Sequence, residues 1–304
     1  MSNDRVAVVT RTRQRTLLLG RAAASVLAQT HTDWMHVVVN DGGAPAEVEA
    51  VLAPYQAAYA GRLRILHHPQ PLGMEAASNT GITATESRWL AIHDDDDTWR
   101  PAFLERALAA IRAHPLPECR GAVAWAERVE ERMAGGRVCE LRRESYNGHL
   151  RQVELWRLLQ DNLFPPIAFV FARAAWQAVG GYDAALPVLG DWDFNLRFCS
   201  RFEIAVVREH LVGYHHRVAG TQGPYANSVV AGAARHAAYR AWLVNRWLRQ
   251  DLAAGRVGLG VLAAIAGESD GPAVRALTPR RAARRLMRWF AADGAARLEA
   301  ASPQ

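Results

Sequence analysis

Four consecutive carboxylates, Asp94-Asp95-Asp96-Asp97, stand between the apolar run Trp89-Leu90-Ala91-Ile92 and the segment Thr98-Trp99-Arg100-Pro101. A short apolar run bounded by polar residues reads as a buried strand, which places the aspartates where that strand leaves its sheet. Like charges packed together repel and raise one another's pKa values. They are tolerated when fully solvated, or when a cation lies among them. Mg²⁺ is usually held by one or two carboxylates together with substrate phosphates, so the run points to a metal–diphosphate site at a strand end. The other reading is a solvated acidic turn that opens a helix, because aspartate is favoured in first turns. Charge alone leaves both open.

A second candidate is the segment Leu189-Gly190-Asp191-Trp192-Asp193-Phe194-Asn195-Leu196-Arg197. A helix beginning here puts Asp191 and Asn195 one turn apart on a shared face. Asp191 then sits near a helix N-terminus, whose dipole favours the carboxylate, and is expected to be ionised at neutral pH. Taken alone it reads as an N-cap, and a side chain engaged in capping is a poorer base. Trp192 is expected to pack against a sugar or the core rather than to do chemistry. Further on come Tyr214-His215-His216-Arg217. Adjacent histidines in a strand face opposite ways, so at most one reaches a common site.

The elements that must position these residues follow from periodicity. Residues 6–10 (Val-Ala-Val-Val-Thr) are a β-branched run, expected as a buried parallel strand. The loop Arg11-Thr12-Arg13-Gln14-Arg15 comes next, dense in donors, then a helix over 16–29 from the spacing of Leu18, Ala22 and Val26. Residues 34–39 form the next strand, closed by Asn40-Asp41-Gly42-Gly43, where paired glycines mark a turn. A helix over 47–59 stopped by Gly61, a strand over 62–66, a helix over 74–83 and a strand over 89–93 complete the first half. Alternating strands and helices predict a parallel sheet with helices on both faces, and such sheets bind ligands at the carboxyl ends of their strands. The loop at 11–15, the turn at 40–43 and the aspartates are therefore expected on one rim. A dinucleotide-binding Rossmann domain needs G-x-G-x-x-G after the first strand; here no glycine appears until Gly20.

The order of these motifs resembles the family 2 glycosyltransferases, which have the GT-A fold. In that family the first loop ends in Asn-Arg and leads to a Ser-Val-Leu-x-Gln helix; this chain has Gln14-Arg15 and Ser25-Val26-Leu27-Ala28-Gln29. The family's Asp-Asp-Gly-Ser or Asn-Asp-Gly-Ser turn is matched by Asn40-Asp41-Gly42-Gly43, and its glycine followed by Ala-Arg-Asn by Gly73 and Ala77-Ser78-Asn79. Its Asp-x-Asp metal motif, with proline following, is matched by Asp94 to Asp97 and Pro101, and its Glu-Asp segment by Gly190-Asp191. Two departures stand out: Ser78 replaces an arginine and Gly190 a glutamate. The matches cover about residues 5–220.

The resemblance implies an α/β fold of the GT-A (Rossmann-like) type, with a mostly parallel central sheet flanked by helices. It implies an inverting transfer of a sugar from a nucleotide-diphosphate sugar to a hydroxyl of a glycan or lipid-linked acceptor. Arg11, Thr12, Arg13, Asn40, Asp41 and Asn79 would contact the nucleotide, and Asp94 and Asp95 the ribose. Asp96 and Asp97 would hold a divalent cation, Mn²⁺ or Mg²⁺, and Asp191 would be the catalytic base. Trp192 would pack against the sugar or the core, and one of His215 and His216, or Arg217, would contact the leaving phosphate or the metal.

Composition narrows the alternatives. All 36 basic residues are arginine, so a P-loop lysine, a Schiff base and a lysine general base are excluded. A sugar-phosphate nucleotidyltransferase, which opens with a glycine-rich loop and uses lysine, loses support. A non-catalytic nucleotide-sugar-binding module would lack the aspartates or the base, and neither is missing. The net charge of +6 suits anionic partners. Cys119, Cys139 and Cys199 are too far apart for a metal site and read as reduced thiols. With no signal peptide and no apolar run of the roughly 18 residues a membrane span needs, a cytoplasmic location is expected.

The second half reads as a helix over 101–113, strands over 122–130 and 137–142 joined through Gly135-Gly136, and a helix over 153–160. Pro165-Pro166 is expected to open a strand over 167–171, followed by a helix over 174–179 and a strand over 203–208. Two parts are expected: a GT-A domain over 1–225, with a nucleotide-sugar half to about 115 and an acceptor half beyond it, and a helical extension over 226–304. The extension contains the basic, amphipathic run Arg280-Arg281-Ala282-Ala283-Arg284-Arg285-Leu286-Met287-Arg288. It suits peripheral contact with the inner face of an anionic membrane or packing with a solvated arginine face. No recognised module accompanies it, so nucleic acid is not an expected partner.

Overall fold

In the computed structural model, residues 4–134, 137–217, 225 and 233–267 are described. The β-branched run after Arg5 forms β1 (Val6–Thr12), buried along its whole length. In chain order there follow α1 (Thr16–Leu27), β2 (Trp34–Asp41), α2 (Pro45–Leu52), a 3-10 turn (Ala53–Tyr55), α3 (Gln56–Tyr59), β3 (Leu63–His68), α4 (Met74–Thr83) and β4 (Trp89–Asp94). Then come β5 (Thr98–Trp99), α5 (Phe103–Ala113), β6 (Cys119–Ala134), β7 (Arg137–Ser145), α6 (Leu155–Gln160) and a 3-10 turn (Pro166–Ala168). The chain continues through β8 (Phe169–Ala172), α7 (Arg173–Val179), α8 (Gly190–Cys199), β9 (Glu203–Arg217), α9 (Ala233–Ala254) and α10 (Leu259–Gly267).

Local rules account for most boundaries. Proline opens α2, where its missing N–H is no loss. The helical stretch from 45 ends at Ala60, left-handed with φ 49°, followed by Gly61 at φ 81°. Pro165-Pro166 does not open a strand as expected. Proline has no N–H to give a ladder, so the chain makes a 3-10 turn and the strand starts at Phe169.

Among the described residues the sheet runs β3-β2-β1-β4-β8-β6-β9-β5, with β7 paired to β6. The β3-β2-β1-β4 half is parallel, as the alternation of strands and helices predicts. Beyond β4 the sheet is mixed: β8 is antiparallel to β4 and β6, and β9 is parallel to β6. The two-residue β5 follows β4 closely in sequence yet pairs with β9, Thr98 opposite Gly213 and Trp99 opposite Val212. The aspartate turn is thus stitched between β4 and the strand that carries His215 and Arg217.

Helix α1 buries Leu18, Leu19, Ala22, Ala23 and Val26, one stripe at helical spacing. Phe164, Phe169, Phe171, Phe194 and Phe198 form a second core in which β8 meets α8. Contacts divide the chain into two units, Met1–Ala241 and Trp242–Gln304. Within the second, Asp251 Oδ2 accepts the Val261 N–H at 2.9 Å, and a Cβ on Gly260 would overlap the Leu248 backbone, so α10 lies directly on α9 there. The expected boundary after residue 225 borders residues outside those described, and the 135–136 turn and the arginine-rich run at 280–288 lie outside them altogether. No helix among the described residues is long and apolar enough to cross a membrane.

Helix α4 approaches the sheet at Gly81, where a Cβ would overlap Val9 Cγ1 and lie 3.1 Å from Val39 Cγ2. β-Branched side chains are stiff at χ1 and cannot swing aside. Gly81→Ala is expected to lower stability by about 1–3 kcal/mol, seen as a lower urea midpoint at unchanged slope. An unchanged midpoint would show that α4 has slack against the sheet.

Candidate active site

The carboxyl ends of β1, β2 and β4, the N-termini of α4 and α8, and the end of β9 surround one cavity of about 750 Å³. Its wall includes Arg11 and Thr12 from the end of β1, Arg13, Gln14 and Arg15 from the loop after it, Asp41 from the end of β2, and all four aspartates. The three polar loops share one rim, as strand direction requires. Asp191 lines the same cavity, as do Tyr214, His215 and Arg217.

The aspartates differ in their partners, and Arg15 is shared between two of them. Arg11 pairs with Asp94 and donates to Ser78 Oγ at 3.2 Å, so the serine that departs from the family pattern supports this arginine. Burial pushes the Arg11 guanidinium down, but Asp94 and Glu75 outweigh that and hold it above its ordinary value. Arg15 Nη1 bridges Asp95 Oδ1 at 3.3 Å and Asp96 Oδ2 at 3.1 Å. Arg217, almost fully buried, pairs with Asp96. Burial would raise the Asp96 carboxyl; Arg217 and Arg15 hold it below its ordinary value. Asp95 is pushed up to about 7 by burial and by Asp96, against the pull of Arg15. Asp97 accepts the His215 N–H on Oδ1 at 2.7 Å, while its Oδ2 is buried with no hydrogen-bond partner. Burial and the neighbouring Asp96 and Asp94 push Asp97 well up.

Asp97 therefore has the property a divalent cation requires: a buried carboxylate oxygen with nothing on it, in a cluster where a proton is otherwise favoured. Among the described residues no three His, Cys, Asp or Glu side chains form a complete shell. A partial set, Asp96 and Asp97, fits an ion that draws its remaining oxygens from phosphates and water.

The second strand end is locked rather than open. Asn40 Oδ1 accepts the Gly43 N–H at 3.0 Å and its Nδ2 donates to Gly43 O at 2.8 Å, so its amide fixes the turn. Asp41 accepts the N–H groups of Leu72 and Gly73 at 2.8 and 2.9 Å, and its Oδ1 lies 2.8 Å from His68 Nδ1. It ties the start of α4 to the end of β2 and still faces the cavity.

Asp191 is the second residue of α8, not its cap: Leu189 holds the N-cap position, left-handed at φ 63°, with no side-chain bond. Asn162 Nδ2 donates to Asp191 Oδ2 at 2.7 Å, and Asn195 Nδ2 donates to Asn162 Oδ1 at 3.1 Å. The shared face of Asp191 and Asn195 is thus bridged by Asn162, which no local pattern marks. The expectation that the helix dipole sets the charge of Asp191 needs correction. Burial is the dominant influence and raises its pKa, opposed by the Trp192 N–H, Arg11 and Asn162.

Not every candidate reaches the cavity. Asn79 clamps Tyr182, donating to its carbonyl at 2.8 Å and accepting its N–H at 3.1 Å. Trp192 is buried, its indole N–H donating to Leu158 O at 2.7 Å under the Arg240 guanidinium. Both hold α4 and α8 in place and are absent from the cavity wall. Of the two histidines only His215 lines it. Its Nδ1 lies 2.6 Å from Glu131 Oε1 and its Nε2 2.9 Å from Thr98 Oγ1. Arg21, on α1, pairs with Glu131 and donates to the Asp96 carbonyl. Arg21, Glu131 and Asn162 are the supports that reading the motifs alone misses; Arg15 lies within a motif, which does not show that it bridges two aspartates.

Solved structures with this sheet and helix arrangement define the class of fold, GT-A. One is the mannosyltransferase PcManGT from Pyrobaculum calidifontis in complex with GDP-Man and Mn²⁺, with TM-score 0.55 and 14% identity over 94% of this chain and 79% of that one. Another is S. aureus TarS 1-349 in complex with UDP, with TM-score 0.56 and 15% identity over 69% of this chain and 60% of that one. Residues 6–152 match the family model of glycosyl transferase family 2. Over that segment, just under half of its length, the chain is similar to this family. The succinoglycan biosynthesis proteins ExoO and ExoW of Rhizobium meliloti (strain 1021) are 31% and 36% identical to it, over 47% and 31% of this chain. The matches span 38% and 30% of those relatives' own length.

Removing one member of a buried ion pair strands the other charge. Arg217→Met is expected to lower stability by about 3–5 kcal/mol, because Arg217 and Asp96 have side chains only 1% and 11% exposed. Arg143→Met, which breaks the more exposed pairs with Glu127 and Glu140, is expected to change it by no more than about 1 kcal/mol. Equal urea midpoints for the two variants would show that the Arg217 pair is not desolvated.

Proposed function

We propose that this chain transfers a sugar, with inversion, from a nucleotide-diphosphate sugar to a hydroxyl of a glycan or lipid-linked acceptor. The observation that carries the reading is the shared cavity. A half-buried aspartate on α8, held through Asn162, faces an arginine-braced acidic rim at the ends of parallel strands. Kinship with succinoglycan biosynthesis proteins supports a role in polysaccharide assembly. GDP-Man and UDP in structures of the same fold support a nucleotide-sugar donor.

Asp191 takes the proton of the acceptor hydroxyl as its oxygen attacks the anomeric carbon from the face opposite the diphosphate. The bond from that carbon to the diphosphate oxygen breaks, and its electron pair leaves with the diphosphate. Arg13 and Arg15 face the space where this negative charge grows. A divalent cation, Mn²⁺ or Mg²⁺, held by Asp96 and Asp97 would supply further positive charge against the departing group. Of the nucleotide and ribose candidates, Arg11, Thr12, Arg13, Asp41, Asp94 and Asp95 line the cavity. The five arginines between 280 and 288 support contact with an anionic membrane surface that presents the acceptor.

Asp191→Asn is expected to bind donor within about twofold of wild type while transfer falls by about 10²–10⁴; near-normal turnover would remove Asp191 from the role. Only the ionised carboxylate can take a proton, and burial raises its pKa. Transfer in the wild type should therefore fall as pH drops through a value above the ordinary carboxylate range. A pH–rate profile without that acid limb would contradict the assignment.

The cation gives an independent test. Titrating UDP-GlcNAc and GDP-mannose calorimetrically with Mn²⁺, or with EDTA, should show donor binding that weakens at least about tenfold without metal. Asp97→Ala should weaken binding in Mn²⁺ and be insensitive to EDTA. Metal-independent binding by the wild type would overturn the assignment of Asp96 and Asp97.

A further inference from the structure

Glu75, in the first turn of α4, is 3% exposed and forms part of the cavity wall. Its Oε2 has no hydrogen-bond partner and stands 3.9 Å from Arg11 Nη1, a guanidinium already committed to Asp94. The space it fills is made by a second residue. A Cβ on Gly190 would overlap the Glu75 carboxyl carbon and lie 2.5 Å from Oε1. The first residue of α8 is thus reduced to glycine where a carboxyl from α4 reaches past it, next to Asp191 in sequence. An unsatisfied buried carboxyl in a polar cavity calls for a partner that the protein itself does not provide.

We infer that Glu75 determines specificity for the transferred sugar by hydrogen-bonding one of its hydroxyls. This rests on the donor reading above. With the diphosphate at the arginine and aspartate rim and the acceptor oxygen at Asp191, the anomeric carbon lies between them. A side chain packed between Arg11 and Gly190 faces the ring attached to that carbon. The groups around Glu75 are Arg11 on β1, Asp94 on β4, Tyr182, and Asp191 and Asp193 on α8. Burial pushes its pKa up to about 8; Arg11 opposes this and the three aspartates add to it. Near neutral pH the carboxyl therefore keeps its proton, and it can donate through one oxygen and accept through the other.

The test compares, by calorimetry, UDP-glucose, UDP-galactose, UDP-GlcNAc and GDP-mannose with UDP and GDP alone, for wild type, Glu75→Gln and Glu75→Ala. In Glu75→Ala the preferred sugar nucleotide should bind at least about tenfold more weakly, while the matching nucleoside diphosphate stays within about twofold. Glu75→Gln, which keeps one donor and one acceptor, should restore most of the loss. Raising the pH through 8 should weaken sugar-nucleotide binding in the wild type, as the carboxyl loses the proton it donates, and should leave Glu75→Gln flat. An unchanged ratio of sugar nucleotide to nucleotide in Glu75→Ala would overturn the role. So would equal loss of both ligands, the mark of a structural residue, or a wild type that binds UDP or GDP but discriminates none of the four sugars. A wild type that binds neither nucleotide would instead overturn the donor reading beneath it.

Discussion

Four adjacent carboxylates at a strand end, three of them buried, can be held there only if positive charge is brought to them, and much of the first unit is arranged to bring it. Arg11 leaves the end of β1, Arg15 opens α1 and Arg217 closes β9; between them they pair with Asp94, Asp95 and Asp96. Arg217 reaches the turn because β5 crosses to β9 and carries the end of the acidic segment with it. Three guanidinium groups facing four carboxylates leave the turn one positive charge short. The shortfall is visible at Asp97, whose pKa is driven up and whose Oδ2 is bare. The proposed cation, between Asp96 and Asp97, would sit beside the member of the run whose Oδ2 has no hydrogen-bond partner.

A chain without lysine is well suited to this arrangement. A guanidinium presents several donors in a fixed plane, whereas an ammonium is a compact point charge. Arg11 touches Asp94 and Ser78 and lies near Glu75, and Arg15 spans two aspartates. Each contact depends on reaching more than one oxygen at once. Replacement by lysine would keep the charge and lose the geometry, so the rim relies on the shape of arginine as much as on its sign.

The rim was legible in the sequence because it follows from short-range rules. Parallel strands put their following loops on one side, and turn residues such as Asn40 and Gly43 announce where those loops are. The motif order then pointed to Asp191. What stayed hidden depends on residues distant in the chain. Asn162 lies 29 positions from Asp191 and Glu131 lies 84 from His215, with no pattern joining them. The main influence on Asp191 was hidden for a related reason: a helix dipole can be read locally, but the burial that raises its pKa comes from tertiary packing. Asn79 and Trp192 sit within recognisable motifs yet serve as clamps, since a motif records position in the chain and not which way a side chain turns. Glu75 looks like an ordinary acid in a first turn, and only Gly190, standing where the family pattern has glutamate, hinted at an exchange of carboxylates.

Backbone strain marks the same cavity. Three non-glycine residues among those described are left-handed: Gln14, Ala60 and Leu189. Ala60 ends α3, an ordinary use of that conformation. Gln14 and Leu189 both line the cavity, and neither belongs to the types that adopt φ > 0 readily. Each costs about 1–3 kcal/mol, which persists only where the surroundings over-determine it. At Leu189 the constraint can be named. The left-handed residue turns the chain sharply into α8, so Asp191 enters the cavity from the helix's first turn while Gly190 passes under the Glu75 carboxyl. A relaxed backbone at 189 would start α8 in another direction and separate those two carboxyls. The strain at this position and the missing side chain at the next therefore serve one geometry, in which the carboxyls of Asp191 and Glu75 face the same small volume.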